Sequence, residues 1–132
     1  MPYYQIENWD QNYETPESKG YKNLHWVAVK NSFDGTLYRR LLKQKDPIAV
    51  FGIAVIMAEI ASRSPKGHRG KLIKSDLSTG YTLEDMADKS GMPLSGFIHA
   101  IPILMNIGWI SYIDGQRKIK EISGKIPLHN MT

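Results

Sequence analysis

Residues 82–122 read TLEDMADKSGMPLSGFIHAIPILMNIGWISYIDGQRKIKEI, and the order of signals within this stretch decides the fold. Thr82 is a good helix N-cap, and Asp85, three places on, completes a capping-box-like pair. Leu83, Met86 and Ala87 mark one apolar face, and Ser90-Gly91-Met92-Pro93 supplies a tight turn with a fresh helix start. Phe97, Ala100, Ile101, Leu104 and Ile107 recur at helical spacing until Gly108 stops the second helix. Trp109 to Ile113 reads as a strand, Asp114-Gly115 as a two-residue hairpin turn, and Arg117 to Ile122 as the returning strand. Helix, turn, helix, strand, turn, strand is the order of a winged helix-turn-helix, whose usual work is docking on nucleic acid.

Two helices joined by so short a turn cross closely and need a small residue where their backbones approach, a place Ala87 suits. Gly91 suits a turn position with positive φ. An ordinary helical hairpin in an α+β domain would satisfy this first half of the pattern. The strand, Asp-Gly, strand tail is an independent feature pointing to the winged form.

The chain has 132 residues, one domain's worth of core. It contains no cysteine, which excludes disulfides and thiolate metal sites and fits a cytoplasmic setting. The start, Met1-Pro2-Tyr3-Tyr4-Gln5, has neither the basic nor the apolar region of a secretory signal. The longest apolar run, Ile48 to Ala58, falls short of the roughly 18 residues of a membrane span and reads as a buried helix. The formal charge is +4 and the pI about 9.3, but the charge is uneven. Glu7, Asp10, Glu14 and Glu17 face only Lys19 within the first twenty residues, so the body is markedly basic. Such a balance suits phosphate contact, although solubility alone can require it.

Outward from the opening stretch, residues 1–23 read as an irregular, aromatic arm, too rich in Tyr and Trp for a plain disordered tail and expected to pack on the domain or a second subunit. Leu24 to Val29 suggests an extended segment and Asn31 to Gly35 a turn. Thr36 to Lys45 reads as a short basic helix with Leu37, Leu41 and Leu42 inward. Asp46-Pro47 places an N-cap before a proline at the first helical position, starting a helix to about Ser62. That helix is apolar nearly all round, hence central, and Gly52 within it implies close packing on a neighbour. Residues 64–70 read as a loop, Lys71-Leu72-Ile73 as a strand able to pair with the wing, and residues 76–81 as a second loop. The expected architecture is therefore α+β: a winged helix-turn-helix with a basic N-terminal helix and an irregular arm, divided as arm 1–23, domain 24–125 and tail 126–132.

Several blocks of the chain also resemble a known group. Trp26 to Asn31, Asp34-Gly35, Tyr38-Arg39-Arg40-Leu41-Leu42, Phe51-Gly52, Ile60-Ala61-Ser62, Arg69-Gly70-Lys71-Leu72 and Ile107 to Ile110 look like the start of many phage and prophage proteins. Those proteins are described as replisome organisers or replication initiators of the DnaD-like kind. The resemblance covers roughly residues 24–113 and rests on packing motifs. It implies a winged-helix domain acting in DNA replication initiation beside a helicase or loader, in the cytoplasm of a bacterial host. It also implies that such domains can serve as oligomerisation modules, so a homo-oligomer is expected as an option. Proteins of that kind continue into a linker and a second helical domain, whereas this sequence runs to Thr132.

In a winged helix the second helix of the motif offers side chains to base edges. Here it presents Ser95, Gly96, His99 and Asn106 without Arg or Lys, and Pro102 frees a carbonyl near Ile98. Ser95, His99 and Asn106 are the candidates for base contact. The basic residues form three other clusters. Arg117, Lys118 and Lys120, with Lys125, mark the wing, and suit phosphate or minor-groove contact. Lys66, Arg69, Lys71 and Lys74, with His68, mark the loop and first strand. Arg39, Arg40, Lys43 and Lys45 mark the early helix, left for solvent or phosphate. Glu84, Asp85 and Asp88 stabilise a helix N-terminus yet would repel phosphate, which keeps a protein-binding face open.

Catalytic chemistry is sparse. The four histidines show no metal-binding spacing, and Asp85 and Asp88 have no third ligand for a cation. Gly67-His68-Arg69-Gly70-Lys71 resembles a phosphate loop but lacks two residues between its glycines and has Leu72 where a hydroxyl is required. Trp9, Trp26 and Trp109 read as anchors; an exposed Trp9 or Tyr13 would instead suggest base stacking. The expectation is a non-enzymatic, cofactor-free DNA-binding and assembly domain, with duplex favoured over single strands. A dimeric transcription regulator and a pure interaction module remain as alternatives.

Overall fold

The computed structural model describes residues 1–27, 29 and 35–120. Among them lie six helices and a three-stranded antiparallel sheet. In chain order these are β1 (Tyr3–Ile6), α1 (Trp9–Asn12), α2 (Pro16–Lys19), α3 (Thr36–Leu42), α4 (Pro47–Ser62), α5 (Leu83–Ser90), α6 (Leu94–Asn106), β2 (Ile110–Asp114) and β3 (Arg117–Ile119). The fold is mixed α and β, and no described helix is long and apolar enough to cross a membrane.

The core is a bundle of α4, α5 and α6 closed on one side by the sheet. Val50, Ile53, Ala54, Met57, Ala58 and Ala61 form the buried stripe of α4, spaced as a helix face requires. Against it pack Leu83, Met86 and Ala87 of α5 and Phe97, Ala100, Ile101 and Leu104 of α6, all buried, as their periodicity implies. The α5 cap is a reciprocal pair. The Asp85 amide donates to Thr82 Oγ1 at 3.0 Å, and the Thr82 amide donates to Asp85 Oδ2 at 3.0 Å. Gly91 then turns the chain with φ of 74°, a left-handed conformation that glycine adopts without a Cβ penalty. Pro102 sits inside α6.

α4 departs from the all-round burial its composition implies. Ile48 is 89% exposed, and Ala49, Gly52 and Glu59 share its open side. A Cβ on Gly52 would meet nothing within 4 Å, so close packing does not explain that glycine. The tight approach lies on the partner helix, where a Cβ on Gly96 would come 3.2 Å from Ile53 Cδ1. Asp46 precedes α4 with φ of 54° and makes no side-chain cap bond.

The N-terminal arm packs on the domain, one of the two placements expected of it, but through regular structure rather than an irregular segment. β1 lies antiparallel to β2, from Tyr3 opposite Ile113 to Ile6 opposite Ile110. Tyr4, Ile6 and Trp9 are buried. The other edge of β1 takes the segment expected to pair with the wing. Ile6 N donates to Gly70 O at 2.8 Å and Leu72 N to Tyr4 O at 2.9 Å, with Gln5 bridging Lys71. Alternation in Tyr3–Ile6 buries Tyr4 and Ile6, so this strand fills the place between residues 70–73 and β2. Gly70 makes the fit possible: its φ is 90°, and a Cβ there would lie 2.6 Å from Trp9 Cγ.

Two boundaries shift. Asp114 pairs with Arg117, so the hairpin loop is Gly115-Gln116 rather than Asp114-Gly115, with Gly115 at φ 64°. α3 ends at Leu42, which is 49% exposed, while Leu41 is buried. Residues 24–27 and 29 belong to neither strand nor helix. Of the turn expected at Asn31 to Gly35, residues 31–34 lie outside the described residues, as do the end of the returning strand, Lys125 and the tail.

Candidate nucleic-acid interface

α6 carries Ser95, His99 and Asn106 on its exposed side. Their spacing of four and then seven residues places them in one row about 16 Å long. The three candidates for base contact therefore share a face, and with Pro102 half-buried between them the row is shallow and open.

Two contacts fix what flanks that row. Arg40 Nη1 donates to Ile107 O at 3.2 Å, where a cation meets the negative end of the α6 dipole. His99 Nε2 lies 3.5 Å from Asp46 Oδ2, a contact that becomes an ion pair when the imidazole is protonated. Residues 40–46 are thus tied to α6 at its C-terminus and near its middle. The sequence shows these basic residues but not their place beside α6, because the two ties span 67 and 53 positions.

The loop cations serve the arm. Arg69 Nη2 lies 3.2 Å from Glu14 Oε1, and both side chains are only 4% exposed. The same guanidinium nitrogen donates to Ser18 O at 3.0 Å, and Glu14 Oε2 accepts from Trp9 Nε1 at 2.6 Å. Lys66 Nζ donates to Gly20 O at 3.1 Å. Lys71 Nζ stands 5.8 Å from the Tyr3 ring centroid, a cation–π arrangement. Lys74 Nζ lies 3.4 Å from Asp85 Oδ2. Burial pushes the Asp85 carboxyl up, but the Thr82 hydrogen bonds and Lys74 outweigh it and hold the group below its ordinary value. The four loop residues are therefore spread among separate structural contacts rather than gathered into a free patch, and Arg69 is withdrawn from solvent.

The wing is mixed. Lys118 Nζ lies 2.7 Å from one Glu7 oxygen and 2.8 Å from the other. Arg117 pairs with Asp114 at 3.5 Å with both side chains at least half exposed, a contact of little energetic weight. Lys120 is exposed and, among the described residues, meets no carboxylate. Trp9 is buried and stacks on Tyr13 at 4.8 Å between centroids, as an anchor should. Trp26 is 74% exposed, against the expectation that it is a packing anchor. Among the described residues no group of His, Asp and Glu side chains is arranged to hold a metal ion. Comparison with known proteins finds no matching family model, curated protein or solved structure, so the geometry itself is what bears on function.

Proposed function

We propose that this chain is a winged-helix domain that binds duplex DNA without catalysing a reaction and helps assemble a protein complex on it. In this reading α4, α5 and α6 are the three helices, β2 and β3 the wing, and α6 the element that enters the major groove. The observation that carries it is the single exposed row of Ser95, His99 and Asn106 on the second helix of the α5–α6 pair. All three side chains can hydrogen-bond base edges. None of them carries a fixed positive charge, so the row favours modest, sequence-tolerant binding over tight specific reading. That suits replication initiation, the setting implied by the resemblance to phage replisome organisers, better than a regulator on paired half-sites.

The test is fluorescence anisotropy of labelled single- and double-stranded DNA across a salt series. Micromolar or tighter duplex binding with a log–log salt slope of about −3 to −5 is expected, corresponding to roughly four or five phosphate contacts. Alanine at Ser95, His99 and Asn106 together should weaken binding while leaving that slope in place, because base contacts release few counterions. Absence of duplex binding at about 50 mM salt, where electrostatic binding is strong, overturns the proposal.

A second reading, a protein-interaction module, is favoured by the exposure of Ile48 at 89% and Trp26 at 74%. Exposed tryptophan is enriched at protein interfaces, where its ring supplies a large apolar contact area. Recruitment of a helicase or loader by this domain would be seen as binding that strengthens when that partner is added.

A further inference from the structure

We infer that Arg39, Lys43 and Lys45, on and just after α3, form the phosphate-binding surface that seats DNA beside α6, in preference to the loop and wing cations. The inference rests on the duplex-binding reading and names where the backbone is held. Position favours this surface. Arg40 is bonded to Ile107 O at 3.2 Å and Asp46 lies 3.5 Å from His99, so Lys43 and Lys45 sit on the chain between two points of contact with α6. One of those points is His99, a member of the exposed row. A duplex whose groove accepts α6 must lay a backbone along one of the flanks of that helix.

The cations also differ in charge compensation. A Lys or Arg already held by a carboxylate of its own protein gains less on meeting phosphate, because it gives up that partner or carries its negative charge to the DNA. Lys118, Arg69 and Lys74 each have such a carboxylate at 2.7, 3.2 and 3.4 Å, and two of the three come from the acidic N-terminal segment. Arg39, Lys43 and Lys45 are exposed, and no carboxylate among the described residues pairs with them. Breaking the Lys118–Glu7 or Arg69–Glu14 pair to reach phosphate would exchange one charged partner for another. The α3 cations meet phosphate without that exchange.

Arg40 directs its guanidinium to the α6 C-terminus at 3.2 Å, which ties α3 to the helix it flanks. Arg40 is accordingly a positioning residue here, and the three others are the contacts.

The experiment compares the full chain with K43Q/K45Q, K43R/K45R and K118Q/K120Q by anisotropy on one labelled duplex through a salt series, with thermal melts of each. Two lost phosphate contacts should flatten the log–log slope by about 1.8. The expected result is that flattening in K43Q/K45Q, full retention in K43R/K45R, a smaller change in K118Q/K120Q, and melts unchanged throughout. Duplex binding by the unaltered chain with K43Q/K45Q keeping its slope overturns this inference alone. No binding by the unaltered chain overturns the duplex-binding reading and this inference with it.

Discussion

Removing one partner of the Arg69–Glu14 pair should destabilise the fold strongly while leaving the β1 pairing in place. The pair is 3.2 Å apart with both side chains 4% exposed, so deleting Arg69 leaves a carboxylate in a site with little water. Truncating one member of such a buried pair costs about 3–5 kcal/mol. Arg69→Met also gives up the bonds to Ser18 O and Lys19 O. With a urea dependence of about 1.5–2 kcal/mol per molar for a chain of this size, the unfolding midpoint should fall by about 2 M. Replacing both partners, Arg69→Met with Glu14→Leu, removes the orphaned charge and should recover much of the loss. The assay is urea unfolding followed by tryptophan fluorescence, which reports Trp9 beside Glu14. The duplex salt slope, measured where each variant is folded, should not change, because a buried guanidinium makes no phosphate contact. An Arg69→Met midpoint within about 0.3 M of the parent, a change too small for a buried pair, together with a flatter salt slope, would refute this account and make Arg69 a surface ligand of DNA.

Other substitutions test the remaining packing arguments. Gly52→Ala, on the open side of α4 with nothing within 4 Å, should raise stability by about 0.5–1 kcal/mol, whereas Gly70→Ala, at φ 90° and 2.6 Å from Trp9 Cγ, should lower it by about 2 kcal/mol or more; paired thermal melts decide both. Thr82→Ala should cost about 1 kcal/mol through loss of the α5 cap. Since the folded state holds Asp85 below its ordinary value, this carboxylate stabilises the fold above the unfolded value near pH 4, and that contribution disappears as pH falls through the folded value. Asp85→Asn should therefore show a shallower acid-side loss of stability in melts taken between about pH 6 and pH 2. Ser111 is fully buried with its Oγ unpartnered, so Ser111→Ala should leave the melting temperature unchanged or raised, while Ser64→Ala, which loses the 2.6 Å bond to Lys71 O, should lower it by about 1 kcal/mol equivalent.

What could be read from sequence was what local chemistry controls. The Thr82–Asp85 box, the glycine at position 91 and the apolar spacing of α5 and α6 are signals within one or two helical turns, and each appears where the residues imply. β1 escaped notice because four residues of Tyr3–Ile6 carry little periodic signal, and their partner strand lies more than 100 positions away. Its acidic, tyrosine-rich surroundings also read as an arm. The basic loop misled for a related reason: Arg69 looks solvated until Glu14, 55 positions earlier, is brought beneath it by β1 and α1. Composition could not distinguish the buried stripe of α4 from its open side, since Ile48 and Gly52 are as apolar as Ile53 and Ala54. The β2–β3 hairpin was legible, but its loop moved by one residue, because strand register is set by pairing across the turn as well as by the Asp-Gly signal.

The central claim is that duplex DNA meets the exposed row of α6 and the α3 cations together. A titration of uniformly ¹⁵N-labelled protein with a short duplex, followed by amide and arginine side-chain resonances, tests it most directly. The largest shifts are expected at Ser95, His99 and Asn106 and at Arg39, Lys43 and Lys45, with residues 66–74 nearly still. Shifts centred on residues 66–74 instead, or no shifts at low salt, would contradict it.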